Sequence, residues 1–493
     1  MMAEQQDYTV PRLLGDLLND LAPEVAAVPV TGLALNSREV KAGDVFLAVK
    51  GHLVDGRDYI NSAIEAGAVA VIADAPFDAA QWSLPVIVVD NLTTNLSDIA
   101  DRFYGHPSSQ LKLIGITGTN GKTSCAWMIA QLLEAIGKPC GLIGTLGSGR
   151  FGRLNSGNNT TPDAISVQAL LADWRDGGAS WAAMEVSSHG LAQHRAAALQ
   201  FTAAVFTNLS QDHLDYHGSM EAYGEEKARL LNWTDLQLAV INRDDEFGRQ
   251  LLARSSAKQV IDFSVFDSRA KVYAEDVSCD INGISARLRS VWGDLTISSS
   301  LLGGFNLSNL LAASAVLLGL GVPAEKIEAA LPSLQPVPGR MECLRAADDV
   351  IAVIDYAHTP DALQKVLETL RAAISGKVIC VMGCGGDRDK SKRPLMGAIA
   401  EKFADQVWVT SDNPRSELAA QIISDICAGM GSQPSIEIER DVAINSAIRS
   451  ANPGDVVLVA GKGHEDYQEI GGRRLPFSDV QCARLALAAR VAL

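Results

Sequence analysis

Residues 115–124, Gly-Ile-Thr-Gly-Thr-Asn-Gly-Lys-Thr-Ser, combine glycines, a lysine and hydroxyls at the spacing of a loop that cradles phosphate. Gly118 and Gly121 permit the tight backbone that turns N–H groups toward phosphate oxygens. Lys122 carries a charge that reaches the outer phosphates, and the Thr123 hydroxyl suits Mg²⁺. The commonest pattern, G-x-x-x-x-G-K-[ST], requires glycine at 116, where this chain has isoleucine. The loop is therefore not that subtype. An ordinary glycine-rich turn is the competing reading, and Gly-Lys-Thr at a helix start favours phosphate.

Such a loop needs a strand before it and a helix after it. LKLIGI (111–116) has the pattern of a buried strand, and Thr123 to Ile136 reads as a helix closed by Gly137. Strand-like runs recur at WAAMEV (181–186), TAAVFTN (202–208) and LAVIN (238–242), with helical stretches between them. That alternation predicts a mostly parallel sheet flanked by helices. Upstream, VFLAV (45–49) and VAVIAD (69–74) sit among Gly- and Asp-rich turns, and YGHPSSQ (104–110) reads as a linker. A second boundary falls near LQPVPGRME (334–342). Beyond it VIAVIDYA, KVICVMG, DQVWVTSD and DVVLVAG alternate with helices, the pattern of a Rossmann-like domain. The expectation is an α/β chain of three domains: a small one over 1–106, a central P-loop ATPase-type parallel sheet over 107–336, and a Rossmann-like domain over 337–493.

Composition agrees. A chain of 493 residues exceeds what one core supports. A net charge of −16 argues against a general nucleic-acid binder, which needs a basic face. Apolar content is 47%, no apolar run approaches a membrane span, and residues 1–14 show no secretory signal. The eight cysteines are scattered without a C-x-x-C pair, so metal or disulfide scaffolding is not expected and a reducing cytoplasm fits.

TGTNGKTS (117–124), NNTTPD (158–163), MEVSSHGL (184–191) and FTNLSQDHLDYHG (206–218), in that order and spacing, resemble the Mur ligase family. The resemblance implies ATP-dependent joining of an amino acid to a carboxylate through an acyl phosphate, with Mg²⁺. It assigns Gly118, Thr119, Asn120, Gly121, Lys122, Thr123 and Ser124 to ATP phosphates. Lys122, Glu185, His213 and Lys227 become catalytic, with Thr123, Glu185 and His213 as metal ligands. Taken alone, His213 reads more readily as structural, because a hard cation prefers oxygen. Lys227 lies on a helical stretch with Glu221, Glu225 and Glu226, where a solvated ion-pairing lysine is the simpler reading. The resemblance implies instead a carbamate on Lys227 that holds a second Mg²⁺.

The adenine end falls on GGFNLSNLLAA (303–313). Phe305 would pack on the base and Asn306 and Asn309 pair with its edge, while the residues alone equally suit an Asn-capped helix start. Asp355, Tyr356 and His358 match a family loop near the nucleotide. The N-terminal segment resembles a UDP-binding domain, with Leu35, Ser37, Arg38, His52, Leu53 and Val54 toward the uridine diphosphate; Asn36 stands where the family commonly has Asp. By the same resemblance Asn159, Thr160, Thr161, Ser187, Gln193 and Arg195 hold the muramyl-dipeptide, although as a bare set they are ordinary solvent-facing polar residues.

SDNPRSE (411–417) is a turn in which Ser416 could cap the next helix. DNPR is also the motif of the family's diaminopimelate-adding branch. meso-Diaminopimelate carries one more carboxylate than lysine, which the Arg415 fork can grip bidentately. Asp412, Asn413 and Pro414 with Arg388, Gly461 and Glu465 complete that pocket by resemblance, Glu465 facing the distal amino group. Rival readings are a lysine-adding ligase, a folylpolyglutamate synthetase and a nucleotide-dependent switch without ligase chemistry. The expected partners are small molecules, with a cytoplasmic monomer as the default.

Overall fold

A computed structural model describes residues 11–51, 54–157, 159–347 and 349–491. Two compact units emerge. The first reaches Ala274 and takes in Arg289–Leu295 and Ser308–Ala330; the second comprises Glu275–Leu288, Thr296–Leu307 and the chain from Leu331 onward.

The first unit begins with a parallel four-stranded sheet, β1 (Gly32–Ala34), β2 (Asp44–Ala48), β3 (Ala70–Asp74) and β4 (Val86–Val89), paired in sequence order. Helices α1 (Ile60–Glu65) and α2 (Leu92–Phe103) accompany it. Leu92, Leu96, Ile99 and Phe103 recur at helical spacing and are buried, which gives α2 one apolar stripe. That stripe packs with Val45, Leu47 and Ile72 on one side and with Ala164, Ile165 and Ala172 downstream. The segment expected as a linker is itself docked. Pro107–Gln110 form a single turn, Pro107 and Ser108 are buried, and Ser108 Oγ accepts from Gln200 N at 3.1 Å.

The larger sheet of this unit starts at β5 (Lys112–Thr117), which leads through the glycine loop into α3 (Lys122–Ala135). It continues through β6 (Cys140–Gly144), β7 (Gly147–Arg150), β8 (Arg153–Asn155), α4 (Ala164–Asp176), β9 (Trp181–Glu185), α5 (Ser188–Ala192) and β10 (Ala203–Phe206). Next come α6 (Leu214–His217), α7 (Met220–Leu231), β11 (Leu238–Asn242), α8 (Glu246–Arg254), β12 (Gln259–Ser264) and β13 (Val272–Asp280). The strand order is β8-β7-β6-β9-β5-β10-β11-β12, and β13 starts parallel to β12. From β6 to β12 every pairing is parallel. The runs are apolar on both faces because helices cover both. Strand order reverses around β5, so the loops after β5, β9 and β10 share one edge, where open α/β sheets collect ligands.

Beyond β14 (Gly283–Ser290) and β15 (Leu295–Ser299) comes α9 (Gly304–Gly319), then α10 (Ala324–Ala330). The second unit is built on the order β16-β17-β21-β18-β19-β20. These are β16 (Glu342–Arg345), β17 (Ile351–Asp355), β18 (Val378–Met382), β19 (Gln406–Val409), β20 (Ser435–Ile436) and β21 (Val456–Ala460). Only β16 runs antiparallel, at the edge. Alternation along β18 is complete. Cys380 and Met382 enter the core of α11 (Pro360–Ala373), α12 (Lys392–Phe403) and α13 (Ala419–Cys427), whereas Ile379 and Val381 face α14 (Arg440–Ser450) and α15 (Asp479–Val491). A hairpin of β22 (Tyr467–Ile470) and β23 (Arg473–Pro476) completes the unit. Among the described residues no helix is long and apolar enough to cross a membrane.

One ion pair ties α14 to α15. Arg440 Nε and Nη2 donate to Asp479 Oδ1 and Oδ2 at 2.7 and 2.8 Å, with both side chains fully buried. Removing one partner leaves an unneutralised charge in the core. Asp479→Ala is therefore expected to cost about 3–5 kcal/mol in denaturant unfolding, and Arg440→Met combined with Asp479→Leu to cost less than that single change.

Candidate active site

The glycine loop closes on itself and on the strand-end loop after β10. Gly118 has φ +143°, and a Cβ there would lie 1.9 Å from Thr207 Oγ1, so only glycine fits. Thr207 Oγ1 and Asn208 Nδ2 donate to Asn120 O at 2.6 and 3.1 Å, and Asn120 N donates to Asn208 Oδ1 at 3.0 Å. Thr119 N donates to Asn208 O at 2.8 Å, and Thr119 Oγ1 accepts from Ser210 N at 3.0 Å. Residues 207–210 thus fix the loop, a role that motif matching assigned to none of them individually. The side chain of Asn309 reaches the same place, since a Cβ on Gly121 would meet its Oδ1 at 2.6 Å. Ser124 is half-buried in the first turn of α3.

Glu185 ends β9 and is buried. Its Oε2 accepts from Thr123 Oγ1 at 2.9 Å and from Thr145 Oγ1 at 3.3 Å, and its Oε1 accepts from Thr145 N at 2.8 Å. The loop hydroxyl and a buried carboxylate are therefore adjacent oxygen donors, a set that suits a hard cation such as Mg²⁺. His213 is not part of this set. It sits in left-handed backbone before α6, half-exposed, with Nε2 3.4 Å from Asp212 Oδ2 and its ring against His189. Among the described residues no three His, Cys, Asp or Glu side chains gather to hold a metal.

Lys122 Nζ donates to Gly118 O at 2.9 Å and Thr119 O at 2.8 Å. Lys227 Nζ donates to the same Gly118 carbonyl at 2.8 Å and lies 4.3 Å from the centroid of the Tyr223 ring. The solvated reading of Lys227 is incorrect: its helix turns it inward, and only 1% of it is exposed. Helical spacing separates it from its acidic neighbours. Glu225 instead pairs with Arg254 at 2.6 Å, and Glu226 pairs with Arg229. Burial, and then the Lys122 charge, push the Lys227 ammonium down to about 6.

The residues expected at the muramyl-dipeptide form one network next to Glu185, not a solvated set. Thr160 Oγ1 pairs with Thr145 Oγ1 at 3.0 Å, while Thr161 Oγ1 donates to Glu185 O at 2.9 Å and accepts from Ser187 N at 3.0 Å. Arg195 donates to Thr161 O at 2.6 Å and to Gln193 Oε1 at 2.5 Å, and burial lowers its pKa. Asn159 is exposed. In the small N-terminal sheet Ser37 is buried, Leu35 is half-buried, and Arg38 and Val54 are exposed; His52 and Leu53 lie outside the described residues. A cavity of about 670 Å³, lined by Ser108, Gln200, Trp233, Gln237 and Lys258, opens at the opposite sheet edge and includes none of the candidate residues.

The second unit carries its own polar cluster on the loops after β17, β18, β19 and β21. Asp412 and Asn413 are buried. Asn413 Nδ2 donates to Glu465 Oε2 at 2.8 Å. Gly461 has φ +123°, and a Cβ there would press Asp412 Oδ2 at 2.7 Å. The fully buried Lys462, which motif reading passed over although it stands in the same GKGHE stretch, donates to Asn413 Oδ1 and Glu465 Oε2, each at 3.0 Å. Arg415 takes φ +53°, donates through Nη1 to Gly386 O at 2.7 Å, and pairs at 3.6 Å with Glu469. Pro414 is buried and Arg388 exposed. Ser416 does not cap α13. Its hydroxyl donates to Asp387 at 2.6 Å, and Leu418 holds the cap position. Asp355 is a brace: its carboxylate accepts from Met341 N and Ala357 N, both at 2.8 Å. Tyr356 lies against His464 with the rings tilted by 36°, His358 is exposed, Asn306 Nδ2 donates to Leu302 O at 2.8 Å, and Phe305 is 39% exposed.

A phosphate loop between a central strand and a helix, with a buried carboxylate bonded to its hydroxyl, defines a nucleotide-dependent enzyme of the P-loop α/β type. Three family models match: the Mur ligase family catalytic domain over residues 29–104, the Mur ligase middle domain over 116–317, and the Mur ligase glutamate ligase domain over 339–463. The chain belongs to the Mur ligase family. It is 52% identical to a UDP-N-acetylmuramoyl-L-alanyl-D-glutamate–2,6-diaminopimelate ligase from Pseudomonas syringae pv. tomato, over 93% of this chain and 95% of that protein. A solved structure of a ligase of the same name matches with TM-score 0.75 and 35% identity, covering 98% of this chain and all of the other. The fold also matches a MurF ligase from Thermotoga maritima in complex with ADP, at TM-score 0.66 and 21% identity, over 93% of this chain and 98% of that one.

The lowered pKa of Lys227 carries a pH signature. The unfolded chain holds this proton to 10.5, the folded chain only to about 6, so between them the unfolded state binds more protons and stability rises with pH. In bicarbonate-free buffer Lys227→Met is expected to flatten that rise, measured by denaturant unfolding from about pH 6 to about pH 9.

Proposed function

We propose that the chain is an ATP-dependent ligase that adds meso-2,6-diaminopimelate to UDP-N-acetylmuramoyl-L-alanyl-D-glutamate, releasing ADP and phosphate in peptidoglycan precursor synthesis. The observation that carries the chemistry is the Thr123–Glu185 contact at 2.9 Å, which joins a phosphate loop to a buried carboxylate. Relatives about half identical over nearly the whole chain are UDP-N-acetylmuramoyl-L-alanyl-D-glutamate–2,6-diaminopimelate ligases, which supports the substrates.

In the first step the γ-phosphoryl group of ATP passes to the D-glutamate side-chain carboxylate, and ADP leaves. Lys122 exchanges its bonds to Gly118 O and Thr119 O for phosphate oxygens, and the loop N–H groups from Gly118 to Ser124 cradle them. Thr123 and Glu185 would hold Mg²⁺, which when bound offsets charge on the transferring phosphoryl group. In the second step the amine of diaminopimelate attacks the acyl carbon, the C–O bond to phosphate breaks, phosphate departs, and the amine loses a proton. Asn159, Thr160, Thr161, Ser187, Gln193 and Arg195 orient the muramyl-dipeptide. Leu35, Ser37, Arg38, His52, Leu53 and Val54 hold the uridine diphosphate, and Asn306 and Asn309 meet the adenine. Arg388, Asp412, Asn413, Pro414, Arg415, Gly461 and Glu465 receive diaminopimelate.

Lys227 is read as a carbamate and His213 as a further metal-side ligand. A neutral amine is the form that takes up CO₂, and the burial that holds Lys227 near neutrality supports that modification. As an ammonium bonded to Gly118 O it would repel a cation; as a carbamate it would attract one. The domain limits remain proposed at 106/107 and 336/337, and the gaps between the matched family models, 105–115 and 318–338, support them. Dependence on ATP supports a cytoplasmic setting, and the monomer remains the proposed state.

Phosphate release with the UDP-muramyl-dipeptide is expected with meso-diaminopimelate and not with L-lysine or without an amino acid; equal rates with the two amino acids would sink the specificity. Labelling with ¹³C-bicarbonate is expected to give a carbamate resonance in the wild type that Lys227→Ala lacks, together with loss of most activity. An active Lys227→Ala enzyme would remove the carbamate from the mechanism.

A further inference from the structure

The second unit contains a buried lysine that the chemistry above leaves unused. Lys462 has no exposed surface, and its Nζ is surrounded by groups assigned to the acceptor amino acid: Asn413 Oδ1 at 3.0 Å, Glu465 Oε2 at 3.0 Å and Asp412 Oδ1 at 3.7 Å. These come from two separate strand-end loops, one after β19 and one after β21. A buried ammonium is costly and persists only where it is well paired. Among the described residues its pairing is with these three side chains, above the ring of Tyr467.

The hydrogen bonds around it are fully determined by chemistry. An ammonium only donates and a carboxylate only accepts, so the Asn413 amide must turn its oxygen to Lys462 and its nitrogen to Glu465. Asn413 Oδ1 then accepts from both Lys462 Nζ and Glu469 N, the latter at 2.9 Å. Glu465 Oε2 is filled by Lys462 Nζ and Asn413 Nδ2. Among the described residues Glu465 Oε1 has no hydrogen-bond donor. The carboxylate is thus pinned by one oxygen and offers the other. Asp412 faces both Lys462 and the field of the buried Arg440, so Glu465 Oε1 is the carboxylate oxygen left for a ligand to meet.

We propose that Lys462 is a positioning and specificity-determining residue: by locking Glu465 and Asn413 it presents Glu465 Oε1 to an amino acid whose far end carries an ammonium. An acceptor whose far end lacks an ammonium would leave that oxygen unpaired. The inference rests on the reading that this unit takes the acceptor amino acid.

The test uses the full-length enzyme and Lys462→Met, with each of the three substrates varied in turn in the phosphate-release assay. The KM for meso-diaminopimelate is expected to rise about 10- to 100-fold, while the KM values for ATP and the UDP-linked substrate stay within about twofold. Because Lys462 acts through Glu465, the double variant with Glu465→Gln is expected to be no worse than the poorer single variant. Lys462→Gln, which keeps an N–H donor without the charge, carries the same comparison if the methionine variant melts early. An unchanged KM for diaminopimelate, additive losses in the double variant, or a uniform loss of kcat in both Lys462 variants would overturn the proposal. Wild-type enzyme without amino-acid-dependent phosphate release would instead sink the acceptor reading beneath it.

Discussion

The hydrogen bond from Thr123 to Glu185 depends on strand register more than on either residue. Glu185 is the last residue of β9, and parallel pairing sets it opposite Ile116 of β5, one residue before Thr117 and the turn of the loop. A shift of one residue would turn that carboxylate to the other face of the sheet, because side chains alternate along a strand. The apolar runs of β5, β9 and β10 thus do more than fill a core. They fix the height at which a carboxylate, a phosphate loop and the Asn208 side chain meet, with the sheet's own backbone bonds as the ruler.

Charge is handled differently in the two units. Around the phosphate loop two lysines, Lys122 and Lys227, converge on one carbonyl, Gly118 O. The Lys122 charge at a loop that awaits a polyanion is the expected electrostatic preparation. It also explains why burial can strip the proton from Lys227: the neighbouring Lys122 adds to the desolvation instead of relieving it. In the second unit the buried cations sit beneath the site and face carboxylates. Arg440 holds Asp479 and also donates to Ser411 O and Ala460 O, the residues just before Asp412 and Gly461. Arg393, with no exposed side-chain surface, donates to Glu417, Asp425 and Gly385 O. Each brings together the loops that the sheet delivers separately.

Much of this was legible in the sequence because the information is local. The strand, glycine loop and helix read directly from residues 111–136, and alternating apolar runs gave the parallel sheets and the Rossmann-like C-terminal unit. What was not legible depends on contacts distant along the chain. Nothing in AYGEEKARL distinguishes a buried lysine from a solvated one, since the bond that decides it reaches back 109 residues to Gly118. Lys462 was invisible for a similar reason: its partner Asn413 is 49 residues away, and the glycines flanking it drew the reading toward backbone shape. That the linker segment at 104–110 is docked was hidden by the same logic. A proline and polar residues suggest exposure, yet Ser108 finds a backbone N–H at Gln200 that needs an acceptor.

Positive-φ residues mark where local propensity yields to the site. His213 and Arg415 both take left-handed backbone, at φ +53°, a conformation that ordinary side chains avoid. At Arg415 the cost is offset by the hairpin, because its N donates to Glu469 O at 2.9 Å and its carbonyl accepts from Gly471 N at 2.7 Å. Strain of about 1–3 kcal/mol persists only where surrounding structure over-determines it. Two backbone bonds to a hairpin, the contact with Gly386 O and the pairing with Glu469 do so here. The guanidinium is therefore set by a frame that does not depend on a ligand's presence, which is what discrimination by a fixed fork requires. Lys462 does the equivalent for the carboxylate on the facing loop, so the two ends of a dipolar amino acid side chain would meet groups whose orientations are already fixed.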